Sequence, residues 1–268
     1  MARVSELIVP RRFCGPPESG NGGWTAGSLA SMDGDDCPGD RAESWPTIEV
    51  VLRQPPPLDT AMQVTTDEHA ASASFGGALI AEARLVEHTL TEVEPVDAET
   101  ALAAQASYPG HDFHPFPTCF ACGTAREEGD GLRIFPGQVD PAPGGGERAA
   151  SAWTPHPSLS EDWHTYVDDV RRASVASTWA ALDCIGAWSA DFGERLMVLG
   201  RMTTRIDTLP VVGEPHVVVG EKRGAEGRKT FTASTLYDAD GRVVGTAEHV
   251  WISVDPTAFG GTASRSRA

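Results

Sequence analysis

Basic residues are scarce in this sequence. Lys and Arg number 21 against 38 Asp and Glu, a formal charge of −17 over 268 residues. So acidic a surface repels phosphate backbones and anionic lipid, which argues against nucleic acid and membrane as partners. An anionic ligand would need a local basic patch, and Arg201, Arg205, Lys222, Arg223, Arg228 and Lys229 are the densest supply; a solvated pair of basic strands reads equally well. No apolar run reaches the length of a membrane span. The opening "MARVSELIVPRRF" lacks the charged, apolar, small-residue order of a secretory signal. Five cysteines, an odd number, do not make a disulfide framework in a chain of this size. The glycines of "GERLMVLGR" and "GEKRGAEGRK" lie near bases but lack the glycine, lysine and hydroxyl order of a phosphate loop. The acidic run 32–40, "MDGDDCPGD", lacks the bidentate acid that closes a calcium loop. These absences point to a soluble cytoplasmic protein with free thiols and no cofactor motif.

What is present is an ordinary globular core, with 40% hydrophobic residues, arranged in two halves. The first spans 1–106. It reads as a short strand, a helix of small residues, and strands around the triple proline Pro55, Pro56 and Pro57, which marks a bend, bulge or edge. A hairpin turn follows at Gly76-Gly77, and a connector runs from about residue 91. The second half, 107–256, opens near Cys119 with two strands around "DPAPGGGE". The alanine-rich helical stretch "VDDVRRASVASTWAALDCIGAWSA" and long strands follow, with a hairpin signal at "DADG". Residues 257–268 are small and polar, the composition of a flexible tail. The halves rhyme: each sets a small-residue helix before its strands, and each closes on a strand carrying an Ala-Glu pair, Ala81-Glu82 and Ala247-Glu248. This order implies two copies of one unit, a helix wrapped by an antiparallel sheet.

Three places carry chemistry. In "SGNGGWTAGSLASM", 19–32, Asn21 and Gly22-Gly23 stand at a helix start, whose unpaired N–H groups suit an anion or oxyanion; a capped turn before a packed helix is the plainer reading. Asp183 has Trp179, Ala180, Gly186 and Ala187 as helical neighbours. Burial there raises a carboxyl toward the range of a general base, unless backbone N–H groups or a strand residue such as Arg205 simply hold it. Cys119-x-x-Cys122 has zinc-ligand spacing, with His111, His114 and His156 in the same half, but no second such pair exists. Cys184, beside Asp183, reads as inert packing because no histidine lies near it in sequence.

"GNGGWTAGSL", "CFACGTAREEGDGLRIFPG" and the strands from Arg195 to Val254 together resemble the double-hotdog form of the hotdog-fold, acyl-CoA thioesterase-like superfamily, most of all a group of actinobacterial members. The resemblance implies an α+β fold of two fused hotdog units: two long central helices, each wrapped by an antiparallel sheet, with the sheets side by side in one layer. It implies hydrolysis of an acyl-CoA or other acyl thioester by a homo-oligomer without metal or cofactor. Asp183 would be the base, Asn21 with the N–H groups of Gly22 and Gly23 the carbonyl-polarising pole, and Thr203 or Thr204 would orient water. Gly22, Gly23, Trp24 and Trp179 would meet the substrate, although Trp24 also reads as packing. Two features depart from the family. Asn21 replaces a histidine, and its helix holds no acid before Asp33, whereas the second helix has Asp183 without a Gly-Gly start. The site would then be composite, one pole from each copy. The glutamine that partners the acid and threonine in such enzymes has no match; Glu248 or His249 lies on the last strand instead. The alternatives are a binding protein without turnover and a hydratase-type lyase, whose Asp/His motif is not visible.

Overall fold

Strict alternation in "AMQVTT" and the continuous burial of "VGTA", 244–247, both end up in one antiparallel sheet. The structure, a computed structural model, describes residues 3–32, 45–160, 169–190, 192–193 and 195–255. The tail 257–268 and nearly all of the acidic run 32–40 lie outside the described residues. The strands are β1 Arg3–Ile8, β2 Ile48–Leu52, β3 Ala61–Thr66, β4 Ala70–Phe75, β5 Ala78–Leu85, β6 Gly137–Val139, β7 Arg148–Trp153, β8 Met197–Ile206, β9 His216–Glu226, β10 Lys229–Tyr237 and β11 Val243–Ser253. They form an 11-stranded sheet in the order β1-β3-β4-β5-β2-β8-β11-β10-β9-β7-β6.

That order contains the repeat. Strands β3-β4-β5-β2 on one side are mirrored by β9-β10-β11-β8 on the other, and β2 meets β8 at the centre, with Ile48 opposite Thr204 and Val51 opposite Arg201. Ala81-Glu82 on β5 and Ala247-Glu248 on β11 hold corresponding places beside β2 and β8. The glycine turn at 76–77 adopts positive φ of 58° and 80°, as the β4–β5 hairpin needs. Pro55 to Pro57 fall in the connection after β2 rather than in a strand.

The α-helices are α1 Gly22–Ala30, α2 Ala98–Ala104 and α3 Val175–Trp188. Asn21 caps α1 by accepting from the Trp24 N–H, and Ser174 caps α3 by accepting from the Ser177 N–H. The connector helix α2 packs on β6, β7 and β9.

The expectation of two long central helices is corrected. α1 has 9 residues and α3 has 14. α1 ends at its cap, Ser31, and Asp33 and Gly34, two residues of low helix propensity, follow closely in the sequence. The two helices also pack tightly on one another. A Cβ on Gly23 would sit 2.5 Å from Asp183 Cβ, and one on Gly27 would sit 2.7 Å from Trp179 Cβ and 2.8 Å from Ala176 Cα. The glycines of α1 therefore bring α3 close, and this approach carries Asp183 to the start of α1. On its other side α3 lies on the C-terminal strands: Ser234 donates to the Leu182 carbonyl at 2.7 Å, and a Cβ on Gly220 would meet the Ile185 carbonyl oxygen at 2.6 Å.

Candidate active site

Where α1 starts against the middle of α3, residues of the two repeats meet. Asp183 is 2% exposed, and its Oδ2 accepts from the Gly23 N–H at 2.9 Å and from Asn21 Nδ2 at 3.1 Å. Asn21 can donate there because its own Oδ1 is committed to the Trp24 N–H at 2.8 Å. One side chain thus caps a helix and holds a carboxylate. Asp183 Oδ1 has no hydrogen-bond partner among the described residues. Burial pushes the Asp183 pKa up from 3.8 to about 7; the Gly23 N–H opposes the rise, negative charge on the Cys119 sulfur adds to it, and the Asn21 amide opposes it. The Gly22 N–H, at the first turn of α1, has no acceptor among the described residues.

Asp183, Asn21 and Gly22 line a cavity of about 290 Å³. Its walls are apolar, with Phe116, Trp188, Phe192, Met197, Leu199 and Trp251 among them, and it reaches the exposed Arg53 and Gln54 after β2. A mostly apolar chamber with a few polar groups suits a ligand with an apolar portion and a polar head.

The solved structures most usefully compared span both halves of the chain. The tesB protein of Mycobacterium avium subs paratuberculosis is 12% identical, with a TM-score of 0.55 over 95% of this chain and 93% of that one. A conserved protein of unknown function with hot dog fold from Alicyclobacillus acidocaldarius gives 10%, 0.54, 95% and 94% on the same measures. A candidate oleoyl thioesterase from Lactobacillus plantarum gives 8%, 0.53, 95% and 97%. The fold is the double hotdog. At these identities the likeness is one of fold alone. No protein-family model matches the chain, and no curated protein matches its sequence.

Within this double hotdog, Asn21, Gly22, Gly23 and Asp183 come together, as the composite site requires. The other expected residues stand elsewhere. Thr203 lines a separate polar groove with Glu49, Arg201 and Glu248. Thr204 is 1% exposed, and its Oγ1 has no partner among the described residues; neither threonine lines the cavity. Trp24 stacks on Phe13 with ring centroids 4.2 Å apart, away from the cavity, and Trp179 is buried where α3 crosses Gly27. Arg205 pairs with Asp207 and leaves Asp183 alone. His249 sits under Gly186 of α3, its Nδ1 3.1 Å from Thr232 Oγ1, and burial lowers its pKa to about 4. Several of the basic residues meet acids: Arg201 faces Glu49, Lys222 faces Glu147 and Arg223 faces Glu221, while Arg228 and Lys229 are exposed at the β9–β10 turn.

Sequence reasoning passed over a cluster on the cavity wall. Cys184 Sγ lies 3.7 Å from Cys119 Sγ, and the Sγ atoms of Cys119, Cys122 and Cys184 all lie within 4.8 Å of one another. Hydrogen bonds from the Cys122 and Cys184 thiols hold the Cys119 thiol well below its ordinary range; burial pushes Cys122 up, and the bond to Cys119 pushes Cys184 up. His114 Nε2 is 3.3 Å from Cys122 Sγ, and burial lowers the pKa of this imidazole. The Cys-x-x-Cys spacing was visible in the sequence, but its third member arrives on α3, 62 residues on, through tertiary packing alone.

Proposed function

We propose that the protein hydrolyses acyl thioesters, with Asp183 as the general base that takes a proton from the attacking water. The observation that carries this reading is a buried carboxyl, one oxygen held by two donors and the other without a partner, on the wall of an apolar cavity beside a helix start. The acyl chain would lie along the apolar wall. The free Gly22 N–H would polarise the thioester carbonyl, and one such donor contributes about 3–4 kcal/mol where measured. Asn21 and the Gly23 N–H are positioning groups in this scheme, because their donors already serve Asp183. Thr203, Thr204, Trp24 and Trp179 take no part in it. The name of one structure that shares the fold, the candidate oleoyl thioesterase, supports the substrate class. Self-association belongs to the same reading: β1 and β6 end the sheet with free edges among the described residues, and Val4 and Ile8 of β1 are exposed.

The commitment of both the Asn21 amide and the Gly23 N–H to Asp183 favours a second reading, a protein that binds an acyl group without turning it over. Incubation of the purified chain with short, long and aromatic acyl-CoAs, following free thiol, separates the two. Thiol release supports hydrolysis. Saturable binding with no release from any ester overturns it in favour of binding.

A further inference from the structure

We propose that Cys119, Cys122 and Cys184 form a trithiolate site for one thiophilic divalent cation, zinc(II), on the wall of the cavity. The site is independent of whether the protein hydrolyses thioesters.

The spacing of the sulfurs is the first argument. A tetrahedral zinc with Zn–S bonds of about 2.3 Å sets its sulfurs about 3.8 Å apart. Cys119 and Cys184 Sγ are 3.7 Å apart, and all three sulfurs lie within 4.8 Å of one another. Two come from one turn whose geometry the next residue secures. A Cβ on Gly123 would lie 2.5 Å from the backbone oxygens of Cys119 and Pro117, so only glycine lets the turn close. The third is delivered by α3.

The surroundings are the second argument. Nδ1 of His114 accepts from the Phe116 N–H at 2.9 Å, which places the proton of the neutral ring on Nε2. That Nε2–H then donates to Cys122 Sγ at 3.3 Å, and His114 is a donor to sulfur rather than a ligand. Trp188 Nε1–H also aims at Cys122 Sγ, at 3.4 Å, and Asn21 Nδ2 lies 3.7 Å from Cys119 Sγ. Donors gathered on sulfur offset thiolate charge and orient the ligands, as groups around metal-bound cysteines do. No imidazole or carboxylate of the described residues joins the three sulfurs at metal-sharing distance. The fourth position is therefore left to water or to a ligand atom from the cavity, which all three cysteines line. Soft thiolates select zinc over magnesium or calcium, and binding releases to solvent the proton of each thiol that still carries one.

The test uses the full chain, purified under reducing conditions and loaded separately with zinc(II) and cobalt(II). Elemental analysis should find one zinc per chain. The cobalt form should show sulfur-to-cobalt charge transfer with the strong visible bands of a tetrahedral site. Cys184→Ala, at a half-buried position, should weaken zinc binding by more than the about 10- to 100-fold that loss of a ligand's outer hydrogen-bond partner causes. Cys14→Ala, which removes a buried thiol bonded to Thr118 outside the set, should leave binding intact. Folded, reduced protein that retains no zinc and shows no thiolate-cobalt spectrum overturns the proposal. So do thiols that oxidise to a disulfide without ever taking metal, and a Cys184→Ala variant that binds as tightly as the parent.

Discussion

Gly27→Ala tests the helix crossing on which the candidate site depends. In an isolated helix this change is favourable, since alanine is preferred over glycine by about 0.8–1 kcal/mol. Here the new Cβ would lie 2.7 Å from Trp179 Cβ and 2.8 Å from Ala176 Cα, neither of which is the end of a flexible chain. Ordinary contact begins near 3.4 Å, so the helices must part by about 0.7 Å (3.4 less 2.7). Overpacking of this kind costs about 1–3 kcal/mol. The same displacement lengthens the 3.1 Å bond from Asn21 to Asp183 beyond hydrogen-bonding range, which adds about 1–3 kcal/mol for a buried acceptor that loses a donor. Partial relaxation and the gain in propensity offset part of this. The net expectation is a loss of about 2 kcal/mol, or a fall in Tm of about 4–8 °C for a chain of this length. Differential scanning calorimetry reads it directly. Gly144→Ala is the control, since a Cβ there meets nothing within 4 Å and stability should stay within about 0.5 kcal/mol. A Gly27→Ala protein as stable as the parent would falsify the crossing as described.

Three further outcomes follow from the same geometry. Burial lowers the His249 pKa from 6.5 to about 4. The unfolded chain takes up a proton as pH falls through 6.5 while the folded chain does not, so stability is lost on acidification. The loss due to this group is about 2 kcal/mol between pH 7.5 and 5, seen as a difference in urea unfolding against His249→Gln, which lacks the titration; parallel pH curves for the two proteins would refute it. Asn21→Asp keeps a capping oxygen but turns the donor that faces Asp183 Oδ2 into a second acid, so urea unfolding at pH 8 should show a loss of about 1–3 kcal/mol. Unchanged stability would mean that the Asn21–Asp183 bond is not made. Light scattering on a size-exclusion column should find more than one chain per particle if the free edges of β1 and β6 are covered by neighbours; a monodisperse monomer removes that part of the reading.

Much of the architecture was legible because the repeat is written in element order. The two Ala-Glu strands occupy equivalent places, and the turn glycines at 76 and 77 fall where the hairpin needs them. The role of the α1 glycines was not legible: the same absence of side chain suits a ligand's approach and a helix's, and only the partner distinguishes them. Gly22 borders the cavity, whereas Gly23 and Gly27 meet α3. The strand threonines were beyond reach for another reason. Opposite β11, Val250 pairs with Arg201 and Trp251 with Leu199, so Gly200 is an extra residue that shifts the register of β8. A simple count along the strand cannot show which of Thr203 and Thr204 faces a helix. The third sulfur was hidden by sequence distance, because Cys184 joins Cys119 only once α3 is seated.

The most direct measurement is thioester turnover by Asp183→Asn beside the parent chain, on whichever acyl-CoA the parent cleaves, with both proteins shown to be folded. Asparagine keeps the shape and an oxygen for the Gly23 N–H and Asn21 but cannot take a proton. Loss of a general base costs about 100- to 10,000-fold in rate, and a fall in free-thiol release of that size is the predicted result. Release by Asp183→Asn at the parent's rate would contradict the account, because the reaction would then proceed without the carboxylate at its centre.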